Sequence, residues 1–171
     1  MNDIFKEQIV KRKPTARDAL IRVLLLLAVV VVIMFALIMG WGTMVFMIGA
    51  AAGFGAFMLM SFLNVEYEYI FTNGDLDIDV IYNRSRRKRL FSAHVNEFEV
   101  MAHVEDKNRA GEFSGAQDTR DYSSGVVGSN TYAFLTTYEG KHTKIIIEPN
   151  EMMLKAISTV LTRRKLHIKP Q

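Results

Sequence analysis

Forty-three consecutive residues, Val23 to Val65, contain no Asp, Glu, Lys or Arg. As one helix this stretch would run roughly 64 Å at 1.5 Å per residue. A bilayer core is about 30 Å thick and takes about 20 residues per span. The stretch is therefore about two spans long, and Gly40-Trp41-Gly42 in its middle offers a turn. We read a transmembrane helical hairpin over residues 20–63, with one span at about 20–39 and the second at about 43–63. A cleaved signal peptide has an apolar region of only about 7–15 residues. About 27 apolar residues precede the cleavage-like Ala50-Ala51-Ala52, so a retained hairpin is expected.

The helix start is written ahead of the apolar run. Pro14 and Thr15 are followed by Asp18, the spacing of a capping box whose carboxylate also faces the positive end of the helix dipole. Six basic and three acidic residues precede Val23, which accounts for the whole formal charge of +3. Lys and Arg flanking a span stay on the cytoplasmic side. The expected placement is a multi-pass protein of the inner or plasma membrane with both termini cytoplasmic and Trp41 at the opposite surface. From Glu66 onward acidic and basic residues balance at fifteen each, so the pI near 9.2 is no sign of nucleic-acid binding. No ionisable residue lies within either span, which argues against a proton or ion path.

Gly49, Ala52, Gly53 and Ala56 recur on one helical face of the second span. Small residues let helix backbones approach closely in lipid. This face either packs on the first span or forms a homodimer seam. Residues 1–19 form a cytoplasmic N-terminal segment. Within it, Ile4, Phe5 and Ile9 fit a short amphipathic helix on the membrane surface, or else a frayed terminus.

Residues 64–171 read as a cytoplasmic α+β domain. Val65 to Thr72 alternates and is rich in aromatics; Asn73-Gly74 is a hairpin turn, answered by Leu76 to Tyr82. Further strands are expected at Arg87 to Phe91, Glu97 to Val104, Thr131 to Tyr138 and His142 to Glu148. Pro149 stops the last of these. Asn150 caps a C-terminal helix over about 150–164, with Met153, Leu154, Ile157, Val160 and Leu161 on its apolar face and Arg163, Arg164 and Lys165 at its negative end. The whole is an antiparallel meander or partial barrel closed by one helix. Residues 105–130, with four Gly and four Ser, read as a long mobile loop, either disordered or carrying Phe113 and Tyr122 as anchors or a partner patch.

These features resemble the pleckstrin-homology-like (PH-like) domains of bacterial membrane proteins, and within that group the small two-span proteins of unknown function. The resemblance rests on YEYIFTNGDLDI (Tyr67 to Ile78), on RSRRKRL (Arg84 to Leu90), on Phe98 and on the helix after Pro149. It implies a curved antiparallel sheet sealed by a C-terminal helix, and a binding or scaffolding module. Six strands are read here where that fold has seven, and the seventh is sought in residues 105–130.

No catalytic pattern stands out. Asp75, Asp77 and Asp79 mimic the start of a calcium loop, but its sixth and twelfth positions would be Val80 and Arg86. On a strand those three carboxylates line the wet face. His94, His103, His142 and His167 lack metal-site spacing, and there is no Cys. Nucleophile-elbow, phosphate-loop and dinucleotide motifs are absent from the sequence. No cofactor or metal is expected. Arg84, Arg86, Arg87, Lys88 and Arg89 form the most suggestive cluster. It either attracts anionic lipid at about 1 kcal/mol per charge near the surface or merely enforces topology. The expected function is therefore a non-enzymatic membrane-anchored protein-interaction or scaffolding module with an unidentified protein partner. Anionic-lipid recognition is the alternative, and an unrecognised enzyme ranks last.

Overall fold

The computed structural model describes residues 4–162 and 166–167. The chain divides into two units. One comprises Pro14–Val65 with Tyr82–Ser85, and the other holds the remaining residues.

The first unit is a helical hairpin. Helix α1 spans Ala16–Ile38 and α2 spans Met44–Ser61. At 23 and 18 residues they are about 35 Å and 27 Å long, long and apolar enough to cross a membrane. The expected capping box forms: Asp18 N–H donates to Thr15 Oγ1 at 3.3 Å, and Thr15 N–H donates to Asp18 Oδ2 at 2.8 Å. Gly40 and Gly42 turn the chain with φ of +68° and +53°, a region closed to most side chains. Trp41 sits at this turn, edge-on to Phe35. Ala36 and Ala56 are buried between the helices. Most of the larger apolar side chains are exposed, Phe46 and Met47 among them. Apolar surface this extensive needs an apolar solvent or a partner.

The second unit differs from the expected meander in three ways. The N-terminal segment is a strand, β1 (Phe5–Lys11), neither a surface helix nor a frayed end. It pairs antiparallel with β2 (Val65–Thr72), in register from Phe5 opposite Thr72 to Lys11 opposite Glu66. The whole helical hairpin is thus an insertion between two neighbouring strands. Alternation explains the strand: Val10 enters the core while Ile9 faces outward, as a two-residue period requires.

The second difference lies in the sheets. Strands β1 and β2 continue through β3 (Asp75–Tyr82) to β4 (Arg86–His94). The chain then takes a 3₁₀ turn at Val95–Glu97 and starts a second sheet. That sheet has β5 (Val100–His103), β6 (Asp118–Asp121), β7 (Tyr132–Tyr138), β8 (Lys141–Ile147) and β9 (Leu166–His167), in the order β6-β8-β7-β5-β9. Among the described residues no closed barrel forms, because β5 pairs with β7 and β9 while β4 closes its own sheet at one edge.

The third difference is in residues 105–130. In place of one structureless loop there is a 3₁₀ turn at Ala110–Phe113 and the strand β6, parallel to β8. Its backbone is held by Gln117 N–H on the His142 carbonyl at 2.7 Å and Tyr122 N–H on the Ile146 carbonyl at 2.9 Å. Tyr122 is buried, and the Lys144 ammonium lies 5.0 Å over the Phe113 ring, so both aromatics anchor the segment. A strand does lie in this segment, but it runs parallel to β8 and so is no member of an antiparallel meander. The further antiparallel strand that the sequence reading lacked is β1.

One core takes side chains from both sheets and from the helix α3 (Glu151–Val160). Phe98 stacks on Phe134 at 4.0 Å, and Phe91 packs against Phe134 and Tyr138. Asn150 caps α3, its Oδ1 accepting from Met153 N–H at 2.8 Å. Met153, Ile157 and Leu161 are buried, with Leu154 and Val160 packed beside them. The proposed C-terminal charges Arg163, Arg164 and Lys165 lie outside the described residues.

Candidate functional site

The basic turn separates once folded. Arg84 stands in the turn with φ of +56°, and Arg86 opens β4. Arg87 and Arg89 reach across the first sheet to its carboxylates. Arg87 Nη2 donates to Glu68 Oε1 at 2.7 Å. Arg89 donates through Nε to Asp79 at 2.6 Å and through Nη1 to Asp77 at 2.8 Å. Ser92 Oγ adds a donor to Asp77 at 2.6 Å. Lys88 alternates with these two arginines on the strand and makes no such contact in this ladder.

Two carboxylates of this ladder are sunk, Glu68 at 1% and Asp79 at 4% exposed, while the Arg87 and Arg89 side chains stay half exposed. Burial pushes the Glu68 carboxyl above the usual range, a hydrogen bond with Glu7 on β1 adds to that rise, and Arg87 only partly offsets it. The hydrogen bond from Arg89 to Asp79 holds the Arg89 guanidinium more firmly protonated. Paired cations of this kind tie strands together and are poorly placed to recruit a ligand.

A second polar site lies where β1 meets the segment before α3. Gln8 donates to the Glu148 carbonyl at 2.8 Å and accepts from Asn150 N–H at 2.7 Å. Lys13 N–H donates to the Ser124 carbonyl at 2.8 Å, and Ser124 N–H donates to Glu148 Oε2 at 3.1 Å. These groups border an open cleft of about 290 Å³, with Lys11 and Lys13 at its rim. Beneath it the Tyr69 hydroxyl donates to the Tyr122 carbonyl and accepts from Glu148 N–H at 3.2 Å. Burial is the main force raising the Tyr69 phenol far above its ordinary range, so it acts as a neutral strut. Sequence reading missed this cleft because one wall is the N-terminal strand.

A family model described as bacterial PH-like domain (DUF6106) matches residues 2–167. The chain belongs to that family. No curated protein and no solved structure matches it.

In this PH-like domain the histidines are dispersed. His103 is buried: its Nε2 faces the carbonyls of Gly128 and Ser129 at 3.1 Å each, and its Nδ1 accepts from Glu105 N–H at 3.2 Å. That pattern places the proton on Nε2. His142 pairs with Glu99 at 3.1 Å, and His94 Nδ1 accepts from Asn96 N–H at 3.2 Å. Among the described residues no group of three or more carboxylate or imidazole side chains is placed to hold a metal. Arg120 ties β6 to the β7–β8 turn through Glu139 at 2.7 Å, pairs with Asp118 of its own strand at 3.1 Å, and lies 5.0 Å over the Tyr138 ring.

The small-residue face of α2 also divides. A Cβ added to Gly49 would sit 3.5 Å from Ile33 of α1, whereas one added to Gly53 would meet nothing within 4 Å among the described residues. Ala56 is buried, and Ala52 and Ala56 border an apolar cleft of about 250 Å³ between the helices. Gly49 and Ala56 therefore serve contact within the hairpin, and Gly53 is left over by that packing.

Proposed function

We propose that this PH-like protein crosses the membrane twice through α1 and α2 and carries its β domain on the cytoplasmic face. There it binds another protein or steadies a membrane complex, without catalysing a reaction. The observation that carries the reading is the β1–β2 ladder. Lys11 lies opposite Glu66, so the residues that lead into α1 and out of α2 leave and re-enter the same edge of one sheet. A chain that crossed the bilayer once could not make that pair. The excess of Lys and Arg before α1 supports the cytoplasmic side. Family membership supports a binding role over a catalytic one.

Single cysteines test the topology, since the chain has none of its own. An impermeant thiol reagent on intact cells is expected to label Trp41→Cys and to spare Asn130→Cys. Labelling at Asn130 would put the domain outside and overturn the orientation. Co-purification of the full chain from detergent is expected to recover the same partner repeatedly, and repeated recovery of the chain alone would count against the scaffolding role. Lipid recognition through Arg84 to Arg89 draws less support, because Arg87 and Arg89 are spent on Glu68, Asp77 and Asp79.

A further inference from the structure

Strand β1 is open along its outer edge. Asn73 N–H donates to the Ile4 carbonyl at 3.0 Å, and the β1–β2 register runs on unbroken from there. Backbone groups alternate in direction along an antiparallel pair. Lys6, Gln8 and Val10 therefore turn their N–H and C=O groups toward β2, and Phe5, Glu7, Ile9 and Lys11 turn theirs away. Among the described residues no strand lies on that side, because β1 ends its sheet. The open edge covers six steps of about 3.4 Å, roughly 20 Å in all.

Sheet edges are commonly blunted by charge. Strand β6 is Asp-Thr-Arg-Asp, and β4 begins Arg-Arg-Lys-Arg. Strand β1 instead shows two large apolar side chains, Phe5 and Ile9, each 55% exposed. They share the outward face with Glu7 and Lys11, since Val10 on the other face enters the core. The cleft of about 290 Å³ lies beside the second half of this edge, for Ile9 and Lys11 line it together with Ser124, Asn130 and Pro149. Lys13, next in the alternation, donates its N–H to the Ser124 carbonyl at 2.8 Å. The edge thus makes one backbone bond to a passing segment. The four positions before it make none among the described residues. The side chains of Lys11 and Lys13 are exposed, and neither forms an ion pair among the described residues.

We propose that this edge of β1 docks an extended segment of a partner protein, which joins the sheet as a further strand. Its backbone pairs with the outward N–H and C=O groups between Phe5 and Lys11. Main-chain bonds supply the affinity in such an addition, and alternate side chains supply the specificity. Apolar side chains of the segment pack beside Phe5 and Ile9, and an acidic one meets Lys11 and Lys13, since unlike charges and apolar pairs across neighbouring strands are favourable. The proposal rests on the protein-binding reading above and names the kind of partner.

The test uses the full chain in detergent and a phage-displayed library of random linear peptides of about nine residues, enough to span the edge. Selected peptides are expected to alternate, with an acidic residue at one outward position. N-methylation of every second backbone amide of a selected peptide should weaken binding about tenfold in one phase of the alternation and leave it unchanged in the other. Ile9→Pro removes an outward N–H and keeps the bonds of Gln8 and Val10 to β2, as proline on an edge strand does. It should cost about tenfold in binding with Tm unchanged. Lys11→Gln with Lys13→Gln should weaken binding and flatten its dependence on salt. Selection of no peptide, or equal sensitivity at every amide, overturns the proposal. Binding that Ile9→Pro leaves intact overturns it too. Where Ile9→Pro does not fold, the methylation series on the unaltered chain decides. A dimer that Ile9→Pro dissociates, with no peptide selected, gives the edge to a second copy and overturns the proposal. A co-purified protein that Ile9→Pro retains in full spares the protein-binding reading and overturns the edge as its site.

Discussion

Arg87 donates to one oxygen of Glu68 at 2.7 Å, and the other oxygen of that buried carboxylate has no donor among the described residues. Glu7 can satisfy it only when one of the two carboxyls carries a proton. The folded protein therefore binds this proton more tightly than the unfolded chain does. The sign follows from linkage: Glu68 favours folding most at low pH, and that support is lost as pH rises from the ordinary carboxylate range through its raised folded value. Heat unfolding of the detergent-solubilised chain should show this decline, and Glu68→Gln should flatten it, because the amide supplies the missing donor. Arg87→Ala should destabilise by about 1–3 kcal/mol at neutral pH. The value falls short of a fully buried pair because Arg87 is 54% exposed. Combining Arg87→Ala with Glu68→Gln should recover most of the loss.

Tyr69→Phe removes the hydroxyl that joins the Tyr122 carbonyl to Glu148 N–H. Both backbone groups then lose a partner in a tightly packed place. The expected cost is about 1–3 kcal/mol, which at this chain length is about 2–4 °C of Tm per kcal/mol. A Tm equal to wild type would mean that water replaces the hydroxyl.

Gly74→Ala tests the first hairpin turn. The new Cβ would sit 2.6 Å from His94 Nε2, on a backbone with φ of +109°. Destabilisation by about 1–3 kcal/mol is expected. Pairing it with His94→Ala should relieve only the collision and leave the backbone strain, so a partial recovery in denaturant midpoint is the result to look for.

Gly49→Leu and Gly53→Leu should behave differently. The first drives a side chain into Ile33 and should open the α1–α2 contact, at a cost of about 1–3 kcal/mol of overpacking. The second enters space that is open within the chain and should leave hairpin stability unchanged. Resistance of detergent-solubilised protein to unfolding separates the two. Loss of chemically crosslinked dimer on Gly53→Leu alone would mark a seam between copies.

Much of the architecture was legible because its signals are local. The Thr15–Asp18 box, the Asn73-Gly74 turn and the Asn150 cap each depend on residues within one turn of chain, and each forms as read. The N-terminal strand was not legible. Ile4, Phe5 and Ile9 suit a helical face as well as a strand, and the partner of Phe5 is Thr72, on the other side of the apolar run. Strand β6, with sequence Asp-Thr-Arg-Asp, has no apolar residue to announce it, and only the edge of β8 makes it a strand. The ion pairs of the basic cluster went unread for a related reason. Asp77 and Asp79 read as lining a wet face, yet alternating opposite charges on strands joined by a short turn were a signal for pairing. The polar cleft was hidden with β1.

The pairing of Lys11 with Glu66 also sets an order of events during synthesis. Strand β1 leaves the ribosome first, but its partner follows only after both helices have been made. At about 5–20 residues per second, the wait is roughly 3–11 s. Throughout it, one edge of the future sheet is missing and Val10 has no core to enter. On the two-span reading, the sheet closes only on chains whose second helix has come back through the bilayer. Completion of the β domain then acts as a checkpoint on membrane insertion, and a chain stalled after one crossing would carry an open β2 edge for quality-control proteases to find.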